Sequence, residues 1–312
     1  MHSVFNPHSP QGRAVATLWW AMFGVGGAVW IAVIALMLIA LLRRRRSAEP
    51  ATAGVEPPSA RRAFVGWIAV AGVILAGFLV YDFVLDRSLG GRASPELTIV
   101  VTGHQWWWEI EYEDSIPSQC LVTANEIHVP AGQLVRYKLR AADVIHSFWA
   151  PTLAGKRDLI PGYEASVSFR ADTAGIYRGQ CAEFCGLQHA QMAFYIVAQS
   201  PADFAAWRAA TSAPSPPPTD SLASYGKSVF MSSGCALCHT IAGTDAWGTV
   251  GPTLSHVASR STLAAGTLPN TRPNLMAWIA NPAAIKPGTH MPAALLSGEE
   301  LRGVVAYLET LR

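Results

Sequence analysis

The chain has 312 residues, of which 51% are hydrophobic and only 14% are charged. A disordered chain is excluded, because such chains combine low hydrophobicity with high net charge. The net charge of +2 comes almost wholly from six arginines between residues 43 and 62, whereas a nucleic-acid binder spreads basic residues over a face or groove, so nucleic acid is not an expected partner. Four of the five cysteines form two tight pairs, each followed closely by histidine, which indicates metal chemistry.

Two long apolar stretches near the N-terminus predict a transmembrane hairpin, residues 18–42 and 63–85. The first stretch contains 25 residues without a charge. As a helix it would measure roughly 37 Å, which is enough to cross a bilayer. The arginine-rich loop between them, residues 43–62, is predicted to be cytoplasmic by the positive-inside rule. Residues 1–17 and everything after the second span are then expected on the periplasmic side of a bacterial inner membrane, with membrane lipid around the hairpin.

The remainder of the chain divides into a β-rich and a helical part. Residues 96–199 contain short apolar and polar alternations, which predict strands and favour a β-sandwich. A short helix is expected near residues 203–210. Proline, serine and threonine dominate residues 211–222, so this segment is predicted to be an extended linker that does not fix one geometry between its neighbours. Apolar spacing typical of helices returns in residues 223–312.

Soft metal ligands are concentrated between Cys181 and Met192. Cys185 and His189 lie between these two residues, so two thiols, an imidazole and a thioether fall within twelve positions. His146 follows a predicted strand and is expected to supply a further strong ligand. Thiolates and thioethers select copper, and two thiolates can bridge two copper ions, each with one histidine. The alternative interpretation is a disulfide between the two cysteines of this run.

A second motif, Cys235-Ala-Leu-Cys238-His239, is the pattern that attaches c-type haem through two thioether bonds and an axial histidine. A zinc site is the alternative interpretation. His256 and His290 are available downstream, but they do not form a second spaced pair of ligands. The motif therefore predicts a haem c domain.

Met291 is the predicted sixth ligand of that haem, because it lies 52 residues after His239 on a proline-containing loop. Two other side chains compete for this role. Met276 lies in a helical pattern, where a core methionine is the ordinary explanation. His290 directly precedes Met291 and is the other alternative.

Four segments share a distinctive pattern: Gly103 to Tyr112, the run that begins at His146, the turn Asp158 to Gly162, and the loop Cys181 to Met192. Together they resemble subunit II of cytochrome c oxidase. The resemblance covers residues 18–199, and residues 223–312 resemble a class I cytochrome c. It implies a membrane-anchored multidomain chain with a two-helix transmembrane hairpin, a cupredoxin-like β-sandwich and an all-α class I cytochrome c domain.

The resemblance also implies roles for individual residues. Trp106 would be the point at which electrons enter, although core packing is the ordinary explanation for the neighbouring Trp107 and Trp108. The carboxylate of Glu183 would face a magnesium site at the boundary with subunit I. The dinuclear CuA ligands would be His146, Cys181, the carbonyl of Glu183, Cys185, His189 and Met192.

By this resemblance the chain is the subunit through which electrons enter a respiratory cytochrome c oxidase. Electrons would pass from haem c to CuA and on to the catalytic subunit I, which reduces oxygen, while this chain performs no oxygen chemistry itself. The expected partners are subunit I, other oxidase subunits, and a donor such as a cytochrome c or an upstream respiratory complex. Two alternatives remain open here: the CuA subunit of a nitric oxide reductase, and a membrane-anchored copper chaperone, which would leave His189, Met192 and the haem motif unexplained.

Overall fold

The computed structural model describes residues 3–46, 58–89, 95, 97–114 and 120–312. The chain divides into two compact units, residues 13–92 and residues 1–12 together with 93–312. Most of the loop predicted at 43–62 lies outside the described residues. The helices are α1 (Pro10–Arg46), α2 (Pro58–Leu89), α3 (Pro201–Ser212), α4 (Ser221–Ser232), α5 (Cys235–Cys238), α6 (Arg272–Ala280), α7 (Pro282–Ile285) and α8 (Gly298–Thr310).

The two N-terminal helices are longer than the predicted spans. Segments Pro10–Arg43 and Ser59–Leu85 are long and apolar enough to cross a membrane. Helix α1 begins eight residues before the predicted 18–42 segment, so residues 1–17 are not wholly a tail. Proline is tolerated at the first helical position, and the hydroxyl of Ser9 accepts a hydrogen bond from the Gly12 amide at 2.7 Å. Apolar content alone locates the lipid-exposed stretch and misses these flanking turns.

Ten strands form the β-sandwich that the alternating pattern predicted. The strands are β1 (Leu97–His104), β2 (Trp107–Tyr112), β3 (Leu121–Ala124), β4 (Glu126–Pro130), β5 (Val135–Ala141), β6 (His146–Trp149), β7 (Arg157–Leu159), β8 (Ala165–Phe169), β9 (Gly175–Cys181) and β10 (Ala193–Gln199). The first sheet has the order β3-β2-β1-β5-β8, and the second has the order β4-β10-β9-β6-β7. The pairs β1/β5 and β4/β10 are parallel, and the other pairs are antiparallel.

The core between the two sheets is apolar and largely aromatic. Trp108, Phe148 and Phe194 are buried, and the Phe148 and Phe194 rings stack with centroids 4.4 Å apart. Gly179 makes room for this stack, since a Cβ atom there would lie 2.1 Å from the Phe194 ring. Packing of this kind fixes β6 and β9, the two strands that lead into the predicted copper ligands.

The segment between α3 and α4 is shorter than the linker predicted at 211–222. Helix α3 continues to Ser212 because the first residue that resists a helical conformation is Ala213, which is extended and precedes Pro214. At the other end, Asp220 caps α4 by accepting a hydrogen bond from the Ala223 amide at 2.8 Å. Residues 213–220 therefore form the non-helical connection.

The last part of the chain, residues 221–312, is helical around a separate apolar core. Helices α4 and α8 cross where Gly226 faces Gly303, and the Phe230 and Tyr307 rings meet edge to face at 5.9 Å. A Cβ atom on Gly226 would lie 1.8 Å from the Gly303 carbonyl oxygen. Two short ladders complete this domain: β11 (Thr240–Ile241) with β12 (Ala246–Trp247), and β13 (Thr262–Leu263) with β14 (Leu268–Pro269).

Gly226→Ala should destabilise this helical domain, because the added methyl group meets backbone atoms that cannot move independently of α8. We expect a loss of about 2 kcal/mol or more in the free energy of unfolding, despite the higher helix propensity of alanine. The measurement is denaturant unfolding followed by haem absorbance. Gly298→Ala is the matched control, since the nearest atom to a Cβ there is a flexible Arg302 nitrogen at 3.7 Å. Equal stability of the two variants would contradict the proposed steric role of the glycine crossing.

Candidate metal centres

Two neighbouring strands and one loop bring the predicted copper ligands together. His146 begins β6, and Cys181 ends β9, which pairs with β6 through Phe148. The chain then turns through a short 3₁₀ segment, His189–Gln191, before β10 returns into the sheet next to Met192. The spacing of ligands in the loop is therefore set by the distance between two adjacent antiparallel strands.

Sulfur atoms form the centre of this cluster. The Sγ atoms of Cys181 and Cys185 lie 3.7 Å apart, and both cysteines are free and buried. Cys181 Sγ lies 3.9 Å from His146 Nδ1, and Cys185 Sγ lies 3.7 Å from His189 Nδ1. Each sulfur thus has one imidazole beside it. The free state of both cysteines does not support the disulfide interpretation.

The remaining two predicted ligand atoms complete the cluster. Met192 Sδ lies 3.7 Å from Cys185 Sγ and is fully buried. The Glu183 carbonyl oxygen accepts a hydrogen bond from Cys181 Sγ at 3.2 Å. The Glu183 carboxylate points elsewhere and accepts from Lys156 Nζ at 3.0 Å. The six atoms predicted from the sequence therefore converge, and the backbone of Glu183 has a different role from its side chain.

Charge in this cluster favours a bound cation. Hydrogen bonding with Cys185 lowers the pKa of the Cys181 thiol, and the adjacent Cys181 sulfur raises the pKa of Cys185. Two thiolates in contact in a buried site repel each other, so both ionise only when positive charge lies between them. The donor set of two thiols, two imidazoles, a thioether and a carbonyl is one that copper prefers. The residues present therefore fit a dinuclear copper centre.

His146 is held with Nδ1 toward the sulfur atoms. Its Nε2 lies 2.8 Å from Asp143 Oδ1. The backbone amide of Gln105 donates to the other carboxylate oxygen of Asp143 at 2.6 Å. Burial lowers the pKa of His146, but its hydrogen bonds to Cys181 and Asp143 raise this pKa overall. Gly103 leaves room for the ring, since a Cβ there would lie 2.8 Å from the His146 Cδ2 atom.

The three consecutive tryptophans after Gln105 lie in different environments. Trp106 is buried, and its indole Nε1 donates to the Cys185 carbonyl oxygen at 3.0 Å. Trp107 is half-buried and stacks on His104 with ring centroids 4.2 Å apart. Trp108 is fully buried in the core. The expectation of core packing is correct for Trp108, while Trp106 directly contacts the candidate copper loop.

The haem motif is presented on a single helical turn, α5. Cys235 and Cys238 are both free and half-buried. His239 Nδ1 lies 2.7 Å from the Pro252 carbonyl oxygen, a contact that directs Nε2 away from the backbone. Gly251 passes close to this ring, with a hypothetical Cβ 2.6 Å from its Cε1 atom. Free thiols and an imidazole held through Nδ1 fit covalent haem attachment with Nε2 as the axial ligand.

Several apolar side chains that border the core of the helical domain are partly exposed. Met276 packs against the core of the helical domain from α6, as expected for a core methionine. Met291 is half-buried on the loop after α7, and His290 is exposed there. An apolar macrocycle would cover such side chains. The half-buried apolar side chains that border this core include Met231, Leu254, Leu268, Met276, Leu296 and Leu301.

Two residues that contact these sites were not found from the sequence. Asp143 holds the ligand His146 from three positions earlier in the chain, and this short spacing was a signal that could have identified it. Lys286 is buried and contacts Trp106, although 180 residues separate them. Nothing local in the sequence indicates the contact between Lys286 and Trp106.

Two family models match the soluble parts of the chain. Residues 115–200 match the family described as cytochrome c oxidase subunit II, periplasmic domain, and residues 223–312 match the cytochrome c family. A crystal structure of the periplasmic domain of subunit II of cytochrome oxidase from Bradyrhizobium japonicum is 32% identical in sequence, with a TM-score of 0.36. This match covers 38% of the present chain and 94% of the Bradyrhizobium japonicum domain.

Two curated relatives extend the similarity over most of the chain. Cytochrome c oxidase subunit 2 of Alkalihalophilus pseudofirmus is 31% identical over 320 residues, which covers 99% of this chain and 91% of that protein. Cytochrome c oxidase subunit 2 of Bacillus subtilis is 32% identical over 255 residues, which covers 78% of this chain and 70% of that protein. Because the similarity runs through the apolar helices, the sandwich and the helical domain, the chain belongs to the cytochrome c oxidase subunit 2 family, as a membrane-anchored oxidoreductase subunit with a C-terminal cytochrome c domain.

Proposed function

We propose that this chain accepts electrons for a respiratory oxidase on a covalent haem c, transfers them to a dinuclear CuA centre, and delivers them to the catalytic subunit I that reduces oxygen. The observation that carries the proposal is the convergence of the six predicted ligand atoms around two free, buried cysteines. When bound, the metal centres supply one-electron transfer without making or breaking bonds in the chain. A copper chaperone would need neither this complete ligand set nor the haem motif.

Each ligand residue has a distinct task in this proposal. Cys181 and Cys185 would hold the two copper ions through their thiolates, and His146 and His189 would each supply an imidazole nitrogen. The Met192 thioether and the Glu183 carbonyl would be weaker ligands. Strand pairing and core packing hold these groups before any metal binds, which reduces the reorganisation that accompanies each electron transfer.

Three residues would hold the haem and a fourth would complete its coordination. Cys235 and Cys238 would form the thioether bonds, and His239 would ligate the iron through Nε2. Met291 would be the sixth ligand, because Met276 is engaged in α6 packing against the domain core. The donor to this haem would be a cytochrome c or an upstream respiratory complex.

The Glu183 side chain has a separate proposed role at the boundary with subunit I. Its carboxylate is partly exposed and pairs with Lys156. Magnesium is usually bound through one or two protein carboxylates together with water or other oxygen ligands. Glu183 would supply one such oxygen, and subunit I would supply the others.

The proposed topology has both soluble domains on the periplasmic side of the inner membrane. The arginines between the two spans favour a cytoplasmic loop. The start of the chain also contacts the sandwich, because the His8 amide donates to the Thr152 carbonyl at 2.8 Å and the Asp172 amide donates to the His8 carbonyl at 2.9 Å. An even number of spans returns the chain to the side on which it began, which agrees with this contact.

Asp143→Asn should weaken copper binding by about 10-fold to 100-fold, because a neutral amide holds the His146 ring less firmly and makes Nδ1 a poorer ligand. The measurement is competition for copper against a chelator, followed through the visible absorption of the copper centre. Asp172→Asn removes a carboxylate that pairs with Arg170 on the same sandwich and is the matched control. Unchanged copper affinity in Asp143→Asn would show that this carboxylate does not support the ligand.

Met291→Ala should leave the covalent attachment intact, since the two cysteines carry those bonds, but it should remove the sixth ligand. We expect the midpoint potential of the haem to fall by about 0.1 V, because a thioether favours reduced iron and axial ligands together span about 0.8 V. Redox titration of the haem absorption measures this. Met276→Ala is the comparison variant, and a larger fall in that variant would transfer the role to Met276.

The double variant Cys235→Ala, Cys238→Ala should lose haem but retain copper. Oxygen uptake with the natural donor should fall by about tenfold or more, because an essential carrier is missing from the chain. A small artificial donor that reduces copper directly should still drive oxygen uptake. Cys120→Ala is the matched control. Normal turnover of the double variant with the natural donor would refute the serial order from haem to copper.

A further inference from the structure

Lys286 lies on the loop of the cytochrome domain that leads to Met291, yet its side chain is buried against the sandwich. It is 2% exposed. Its Nζ donates to the carbonyl oxygens of Trp106 at 3.1 Å and Gln191 at 2.9 Å, both in the sandwich. A third hydrogen bond goes to the carbonyl oxygen of Ala264 at 3.2 Å, in its own domain. The ammonium group therefore joins the two soluble domains.

Burial of an ammonium group is costly unless each of its donors is paired. Lys286 has three N–H donors, and the three carbonyl oxygens satisfy all of them. Two of those oxygens belong to the sandwich, so the pairing is complete only when the domains have this relative position. We therefore expect Lys286 to contribute orientation more than net binding strength, because desolvation of the ammonium group offsets much of what its hydrogen bonds gain.

Other contacts between the same two segments agree with a defined position. Gln188 Nε2, next to the candidate ligand His189, donates to the Pro287 carbonyl oxygen at 2.6 Å. The Ala193 backbone amide donates to the Ala265 carbonyl oxygen at 3.0 Å. These bonds connect the copper loop directly with two loops of the cytochrome domain, which differs from the sequence-based expectation of a linker that fixes no geometry.

A second buried charged group, the carboxylate of Glu126, lies along the same interface. Glu126 is 4% exposed, and its Oε1 accepts from the Ser261 amide at 2.7 Å and from the Ser261 hydroxyl at 2.5 Å. The Thr262 amide donates to the same oxygen at 3.3 Å. Glu126 Oε1 is thus paired with groups of the cytochrome domain, while Oε2 lies 4.0 Å from His128 Nε2 of the sandwich. The interface therefore has two specific polar anchors, Glu126 and Lys286.

Trp106 lies between these domains beside the Lys286 anchor. Its ring centroid is 5.1 Å from that of His290, the neighbour of the proposed haem ligand Met291. On its other side, Trp106 Nε1 donates to the carbonyl oxygen of Cys185. The indole therefore touches both the loop of the haem ligand and the loop of the copper ligands.

We propose that Lys286 is a positioning residue that docks the cytochrome domain on the copper loop in one orientation, and that this docking sets the rate of the haem-to-copper transfer assigned to the chain above. This inference rests on the proposed function. In the step, one electron leaves the ferrous haem, which becomes ferric, and reduces the oxidised copper pair, with no bond formed or broken. Because Trp106 is only 7% exposed in the docked state, an external donor must deliver its electron to the cytochrome domain.

The test uses the purified full oxidase complex with Lys286→Met, which keeps most of the side-chain volume but removes the ammonium group. After photoreduction of the haem, electron transfer to copper should slow by about tenfold or more, since small displacements of a positioned pair have large effects on rate. Hydrogen exchange at the Ala193 amide should accelerate, because its partner Ala265 belongs to the undocked domain. Direct reduction of copper by an added soluble cytochrome c should become faster as Trp106 is uncovered.

The copper and haem absorption spectra and the haem potential should stay unchanged in Lys286→Met, because no ligand is altered. Lys227→Met removes the same charge from α4 of the same domain and should behave like the unmodified complex. Lys286→Arg is a second variant, expected to slow transfer less, since a planar guanidinium keeps the charge but cannot direct donors at all three carbonyls.

Unchanged transfer and unchanged Ala193 exchange in both Lys286 variants would overturn the docking role. Loss of copper or haem in both variants would also overturn it, in favour of a role in assembling the centres. Absence of transfer from haem to copper in the unmodified complex would instead refute the proposed function. The exchange measurement at Ala193 would still decide whether Lys286 docks the domain.

Discussion

The two sulfur atoms of Cys181 and Cys185, 3.7 Å apart in a buried site, are the constraint on which the rest of the sandwich depends. Two thiolates at this distance repel each other unless positive charge lies between them, so both can ionise only together with cation binding. The pairing of β6 with β9 brings His146 to one sulfur. The return of the loop into β10 brings the second histidine and the thioether to the other.

A glycine allows the backbone to pack closely against a candidate histidine ligand in both soluble domains. Gly103 allows the His146 ring to lie over β1, and Gly251 allows the His239 ring to lie against the backbone of its own loop. In each case the imidazole is also held by an oxygen acceptor, Asp143 for His146 and the Pro252 carbonyl for His239. In both folds, a glycine and an oxygen acceptor together determine which ring nitrogen of the histidine is available for a metal.

The contact between the two soluble domains changes how the linker is understood. A tether of residues 213–220 raises the effective concentration of one domain near the other, but it does not select an orientation. The buried anchors Glu126 and Lys286 do select one, because Glu126 Oε1 and two of the three Lys286 donors find their partners across the interface. The cytochrome domain held in this way lies beside Trp106, whose ring centroid is 5.1 Å from that of His290.

The sequence by itself determined the order of the parts and indicated two candidate ligand sets. Apolar length, strand alternation and the motifs from Cys181 to Met192 and from Cys235 to His239 are local patterns. The sequence also located His146 and Met291 as candidate ligands. It missed the true ends of α1 and of the linker, since caps and proline restrictions act beyond the apolar or proline-rich core of a segment. Only the tertiary structure decided the roles of Asp143, Glu126 and Lys286. Their function comes from partners brought close by folding, and for Lys286 and Trp106 those partners are 180 positions apart, a separation at which no local periodicity carries information.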